Sequence, residues 1–112
     1  MFTFSLADRF EKSRPNLKAA SLHPGAVDTN FQQNSCLFNC IKHVCCCFFK
    51  TPENGAVASL RASRTPWSEL KNGAYFDSDG TLKEPTDSAK NRVECEKLWQ
   101  LGERAFGIKF DI

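Results

Sequence analysis

The run His23-Pro24-Gly25-Ala26-Val27-Asp28-Thr29 brings an imidazole, a carboxylate and a hydroxyl close to a glycine. Histidine titrates nearest neutrality, so proton transfer is one chemistry to consider, and backbone amides freed by the Pro-Gly break are a second. A second group, Cys36, Cys40, His43 and Cys45, holds thiols and an imidazole that zinc accepts in a tetrahedron. A third, Asp77-Ser78-Asp79-Gly80, alternates acids about a glycine as calcium loops do.

Each has a plainer structural counterpart. His23 falls at a strand end, where a buried, hydrogen-bonded structural histidine is the expectation, and it receives no catalytic role. The four zinc candidates crowd into one apolar stretch with no second pair following, so small buried hydrophobes are favoured over a metal site. Cysteine acylation at a membrane surface is a third reading of the same thiols. Counted from Asp77, glycine comes fourth and the twelfth residue is Ser88, which does not fit an EF-hand; a turn is expected instead. Trp67 and Trp99 are expected to pack rather than bind.

The elements that must position these residues follow from hydrophobic spacing. Phe2, Leu6 and Phe10 recur at helical intervals, and Ser13-Arg14-Pro15-Asn16 ends that helix. Leu17 to Leu22, with a single charge, reads as a parallel strand buried on both faces. It delivers the Pro24-Gly25 loop, where a ligand-facing turn and an ordinary strand exit are equally open. Thr51-Pro52-Glu53-Asn54 starts a helix to about residue 64, with Ala56, Val57 and Leu60 sharing a face. Residues 73–76 form a short strand ahead of the turn. A last helix runs from about 88 to 106 and stops at Gly107, with Ala89, Val93, Leu98, Leu101 and Ala105 along one side. The order is α/β, a partial doubly wound layer in a single partial domain over 1–112.

Composition sets bounds on function. A net charge of +2 with no basic stripe argues against a nucleic-acid partner. Six cysteines, three of them consecutive, with no basic leader before Asp8, fit reduced thiols inside the cell better than a disulfide framework. No run reaches the roughly 18 apolar residues of a membrane span. Between Asp28 and Glu53 there is no carboxylate, and residues 36–49 are rich in Phe and Cys; such a stretch needs cover from a cavity, a partner or a membrane surface.

His-Pro-Gly followed by Ala-Val-Asp-Thr resembles the loop after the sixth strand of short-chain dehydrogenase/reductases, in the retinol dehydrogenase-like and WW-domain oxidoreductase-like branch. The likeness continues through Lys50-Thr51-Pro52-Glu53-Asn54-Gly55-Ala56, Gly73-Ala74-Tyr75-Phe76, Lys83-Glu84-Pro85 and Lys97-Leu98-Trp99-Gln100-Leu101. It implies the carboxyl-terminal part of a Rossmann-type domain, with residues 29–52 as the substrate-loop-like segment. It further implies an NAD(P) cofactor contacted by Pro24, Gly25, Val27 and Thr29, and a small alcohol or carbonyl substrate.

The family's chemistry needs a glycine-rich phosphate turn and a tyrosine with a lysine four residues on. Here the six glycines are scattered and the residue four beyond Tyr75, the only tyrosine, is Asp79. Neither catalysis nor tight binding of NAD or NADP is therefore expected of this chain alone. The rival readings are a truncated, non-catalytic interaction or membrane-surface module acting through residues 36–49, and a non-functional product of a broken gene. Self-association and an intracellular location, cytoplasmic or peripheral on the endoplasmic reticulum membrane, complete the expectations.

Overall fold

The computed structural model of the chain describes residues 1–28 and 49–110. Among the described residues there are four helices and two strands: α1 (Phe2–Ser13), β1 (Ala20–Leu22), α2 (Pro52–Arg64), β2 (Ala74–Phe76), α3 (Asp87–Lys90) and α4 (Arg92–Phe106). The two strands are hydrogen-bonded neighbours running parallel, since residue 19 pairs near 73 and residue 23 near 76. This mixture of helices around a small parallel sheet is a partial Rossmann-like arrangement.

β1 is shorter than the apolar run that announces it, and it is not buried on both faces. Ala20 and Leu22 are exposed and only Ser21 between them is half-buried. Residues 17–19 are used differently: Lys18 donates from Nζ to the carbonyls of Trp67 (2.6 Å) and Leu70 (2.7 Å), and lies 4.4 Å above the Trp67 ring. Two-sided burial needs strands on both edges and layers on both faces, and among the described residues the two-stranded sheet offers β1 one neighbour.

The chain divides into two compact units, each drawn from separated segments. The first comprises Met1–Ser21, Thr65–Tyr75 and Leu82–Ile112. Its centre is Trp99, 1% exposed, which stacks on Phe2 at 4.7 Å between ring centroids and meets Phe110 edge-on at 5.2 Å. The indole N–H donates to Glu103 Oε1 at 3.1 Å, and the Arg9 guanidinium lies 4.0 Å over the ring while donating to both oxygens of Glu96. Small residues let α1 approach α4 closely: Ser5 and Ala7 are buried, and the Ser5 hydroxyl donates to the Cys95 carbonyl at 2.9 Å.

That packing reverses the expected face of the last helix. Cys95 and Trp99 are its buried residues, whereas Val93 (64%), Leu98 (38%) and Leu101 (55%) are exposed. The side bearing the indole has the most apolar area to remove from water, and a carboxylate within reach satisfies its N–H. The helix is also broken where one continuous run is expected. Asn91 takes ψ 109°, and its side-chain oxygen accepts from the Val93 and Glu94 N–H groups, ending α3 and capping α4. Asn91 with Glu94 three residues later is the sequence signal of that cap. Gly107 closes the helix in the left-handed region at φ 64°, as its position suggests.

Asn72 ties the first unit together with no motif to announce it: its Oδ1 accepts from the Ala19 N–H at 3.0 Å and its Nδ2 donates to the Ala7 carbonyl at 2.8 Å. The second unit, Leu22–Arg64 and Phe76–Thr81, carries the Pro-Gly loop, α2 and the Asp77–Gly80 turn.

Candidate site at the Pro24-Gly25 loop

Pro24 comes two residues after the end of β1, and proline supplies no N–H with which the strand pairing could continue. His23 makes the last contact, its backbone N–H donating to the Phe76 carbonyl at 2.9 Å. Its side chain is exposed, not buried as a strand-end histidine is expected to be. Gly25 then turns the chain with φ +83°, a conformation open to glycine and strained for other residues.

Lys50 holds the far side of the turn. Its N–H donates to the Ala26 carbonyl at 2.8 Å and its carbonyl accepts from the Asp28 N–H at 2.9 Å, forming a parallel bridge around Val27. Its side chain runs beside Gly25, with Cδ and Cε each 3.4 Å from where a Cβ on the glycine would lie, and Nζ donates to the Ser78 carbonyl at 2.6 Å. Ser78 is fixed within the turn, where its N–H donates to Asp77 Oδ1 at 2.7 Å and the Gly80 N–H donates to the Asp77 carbonyl at 2.8 Å.

The start of α2 rests against the same loop. A Cβ on Gly55 would meet the two Val27 methyls at 2.5 and 2.8 Å, so the glycine is what permits contact. The buried residues of α2 are accordingly Gly55 and Ala58, whereas Val57 and Leu60 of the expected apolar face are exposed. Close approach selects small side chains, which hydrophobic periodicity does not register. Thr51 Oγ1 accepts from the Asn54 N–H at 3.3 Å at the helix start. Nearby Glu53 has its carboxyl held below the usual carboxylate range, first by its own backbone N–H and then by the Thr51 hydroxyl, against an opposing desolvation.

Of the four residues expected at a cofactor, the structure therefore brings Pro24, Gly25 and Val27 into one loop, while Thr29 lies outside the described residues. So do Cys36, Cys40, His43 and Cys45 and nearly all of the 36–49 stretch. The Asp77–Gly80 segment is a turn, with Asp79 Oδ1 accepting from both the N–H and the hydroxyl of Thr81. Among the described residues the amides of Gly25, Ala26 and Val27 donate to no protein acceptor. A loop with donors in that state can receive an amide or phosphate oxygen. Lys50 and Gly55, which shape the loop, were not among the expected site residues, although both stand in the Lys50–Ala56 run that carries the resemblance.

Comparison with known proteins gives this loop a context. The chain is 29% identical over 111 residues to retinol dehydrogenase 11 of Mus musculus, a match covering 99% of this chain and 34% of that protein. It is 33% identical over 115 residues to retinol dehydrogenase 14 of Homo sapiens, covering 96% of this chain and 32% of the relative. The short chain dehydrogenase/reductase dpfgH of Gibberella zeae is 31% identical over 109 residues, covering 94% and 31%. Over nearly its whole length the chain is similar to retinol dehydrogenases and other short-chain dehydrogenase/reductases. It spans about a third of the length of these three proteins. No family model matches it, and no solved structure does.

Relationship to these oxidoreductases makes Tyr75 a residue to place. It is half-buried and lines a cavity of about 370 Å³ with Phe4, Leu82 and Pro85. Its carbonyl accepts from the Lys83 N–H at 3.0 Å. Among the described residues no helix is long and apolar enough to cross a membrane.

Proposed function

We propose that these residues form one piece of a single α/β domain in an NAD(P)-dependent oxidoreductase of the retinol dehydrogenase-like kind, in which the Pro24–Thr29 loop faces one end of the dinucleotide. The observation that carries the reading is the left-handed Gly25 in the loop that leaves a parallel strand, with three consecutive amides that donate to no acceptor among the described residues, in a run similar to short-chain dehydrogenases. Pro24 ends the strand, Gly25 sets the turn, Val27 anchors it on Gly55, and the free amides suit a carboxamide or phosphate oxygen. When bound, the nicotinamide supplies or accepts the hydride exchanged with a small alcohol or carbonyl.

Within these 112 residues no tyrosine has a lysine four positions later and no glycines cluster, so the chain alone offers contact to one end of the cofactor without acid–base chemistry. Contact at one end does not offset the entropy lost in immobilising a whole dinucleotide. Millimolar NAD or NADP added to the labelled chain should therefore shift the amide resonances of residues 25–28 and 50, with no tight binding by calorimetry. Retinol and simple alcohols should not be oxidised. Turnover by the 112 residues, or resonance shifts that avoid the loop altogether, would refute this reading.

The segment 29–52 belongs to the same proposal as the substrate-loop-like part, with residues 36–49 as a peripheral membrane contact of an intracellular protein, and the chain is expected to self-associate where its partial sheet lacks neighbours. The supporting feature is sequence: phenylalanines and lysines with no carboxylate from residue 29 to 52. Replacing Phe48 and Phe49 with serine should lower binding to anionic liposomes; unchanged binding would leave a covered lid as the role of the segment.

A further inference from the structure

Among the described residues, Lys50 joins the Pro-Gly loop to the Asp77–Gly80 turn through contacts of three different kinds. Its main chain brackets Val27, its methylene stem lies against Gly25, and its ammonium donates to the Ser78 carbonyl at 2.6 Å. Resting on the reading of this loop as cofactor-facing, we infer that Lys50 is a positioning residue: it fixes the left-handed turn at Gly25 and so sets where the amides of Gly25, Ala26 and Val27 stand.

Each contact contributes a separate constraint. The paired bonds Lys50 N–H to the Ala26 carbonyl and Asp28 N–H to the Lys50 carbonyl hold residues 26–28 beside Lys50, so the loop and the start of α2 share one anchor. A Cβ at position 25 would meet Ser78 Cβ at 3.3 Å and Lys50 Cδ and Cε at 3.4 Å, so the lysine stem packs at contact distance beside a backbone that would be strained for any other residue at φ +83°. The ammonium, finally, pulls the stem taut. A charge-assisted bond to a carbonyl in a turn that is itself hydrogen-bonded restricts a side chain that otherwise has many rotamers. Loss of that bond removes this tie between the loop and the Asp77–Gly80 turn, while the main-chain bridge and the Val27–Gly55 contact remain.

The test uses the whole chain with Lys50→Met, which keeps the stem and removes the ammonium, and Lys50→Arg, which restores a donor of similar reach. Hydrogen exchange at the Asp28 and Lys50 amides should speed up by about tenfold in Lys50→Met, the scale of losing one charge-assisted bond. Lys50→Arg should return it to within about twofold of the parent, a rescue that follows from the donor and not from packing. The NADP-induced shifts at residues 25–27 should vanish in Lys50→Met and reappear in Lys50→Arg. Unchanged exchange and unchanged shifts in Lys50→Met would overturn the positioning role. If the parent chain shows no NADP-induced shift while Lys50→Met still loosens the loop, the cofactor reading fails and the control of the loop by Lys50 stands.

Discussion

The cluster around Trp99 and the loop around Gly25 are held by contrasting means. At Trp99 the sequence spends its largest side chains: three rings in contact, an arginine over one face and a carboxylate on the indole N–H. Around Gly25 the decisive residues are those with no side chain at all, Gly25 and Gly55, and one lysine that fills the space beside the first. The first arrangement tolerates small shifts because ring faces slide; the second does not, because its contacts lie at van der Waals limits and on a fixed φ. A loop meant to present backbone atoms to a ligand gains from the second kind of construction.

The largest effect that would break this contrast is at Trp99. Trp99→Ala should cost about 3–5 kcal/mol in urea denaturation, the usual range for removing a buried large aromatic. A loss below about 1 kcal/mol would mean that the ring cluster does not anchor the first unit. Trp99→Phe, which keeps the stack and drops the bond to Glu103, should lose far less.

Next comes Gly55. A methyl there would sit 2.5 Å from a Val27 methyl carbon, so Gly55→Ala should destabilise by about 1–3 kcal/mol even though alanine is the better helix former. Adding Val27→Ala in the same chain should recover most of the loss. Failure of that rescue in a thermal melt would detach α2 from the loop and remove half of the contrast.

How far these two regions were legible in the sequence differs for the same reason. Elements marked by punctuation came out in place: α1 ending before Pro15, α2 beginning at Pro52, the turn through Gly80, the stop at Gly107. Proline and glycine act locally, so their effect is written beside them. Buried faces did not, since periodicity identifies which residues are apolar and not which apolar stripe a neighbour covers. Leu98, Leu101, Val57 and Leu60 satisfy the helical pattern and are exposed, while Ser5, Gly55 and Ala58 break it and are buried. At the site, Pro24, Gly25 and Val27 were readable through a resembling motif, but Lys50 stands 25 residues from Gly25 in sequence, and only the bridge to Val27 makes them neighbours.

Arg9 offers a smaller effect that sharpens the account of the ring cluster. It is partly exposed, so its pair with Glu96 is screened and the contact with the indole face adds its own share. Arg9→Ala should cost on the order of 1 kcal/mol, and Glu96→Gln less, because the guanidinium keeps its place over the ring. Equal losses in a double-mutant cycle with Trp99→Phe would assign the effect to the ion pair instead.

The smallest effect concerns Glu53, beside the loop and at the start of α2. Its carboxyl is held below its ordinary pKa, chiefly by its own backbone N–H and next by the Thr51 hydroxyl. A carboxylate with a depressed pKa in the folded state favours folding above its unfolded pKa, and that contribution disappears as pH falls through the folded value. Acidification from neutrality should therefore weaken the helix start only once the carboxylate range is reached. Glu53→Gln should show less of that loss, and Thr51→Val should raise the Glu53 pKa in a carbon-detected titration without restoring its ordinary value, since the larger, backbone cause remains. The side chain is fully exposed, so the change should be readable in the titration well before it is readable in a melt. If Thr51→Val left the Glu53 titration where it was, the hydroxyl would have no part in holding the carboxylate. The threonine would then act at this helix start only through the bond it accepts from Asn54.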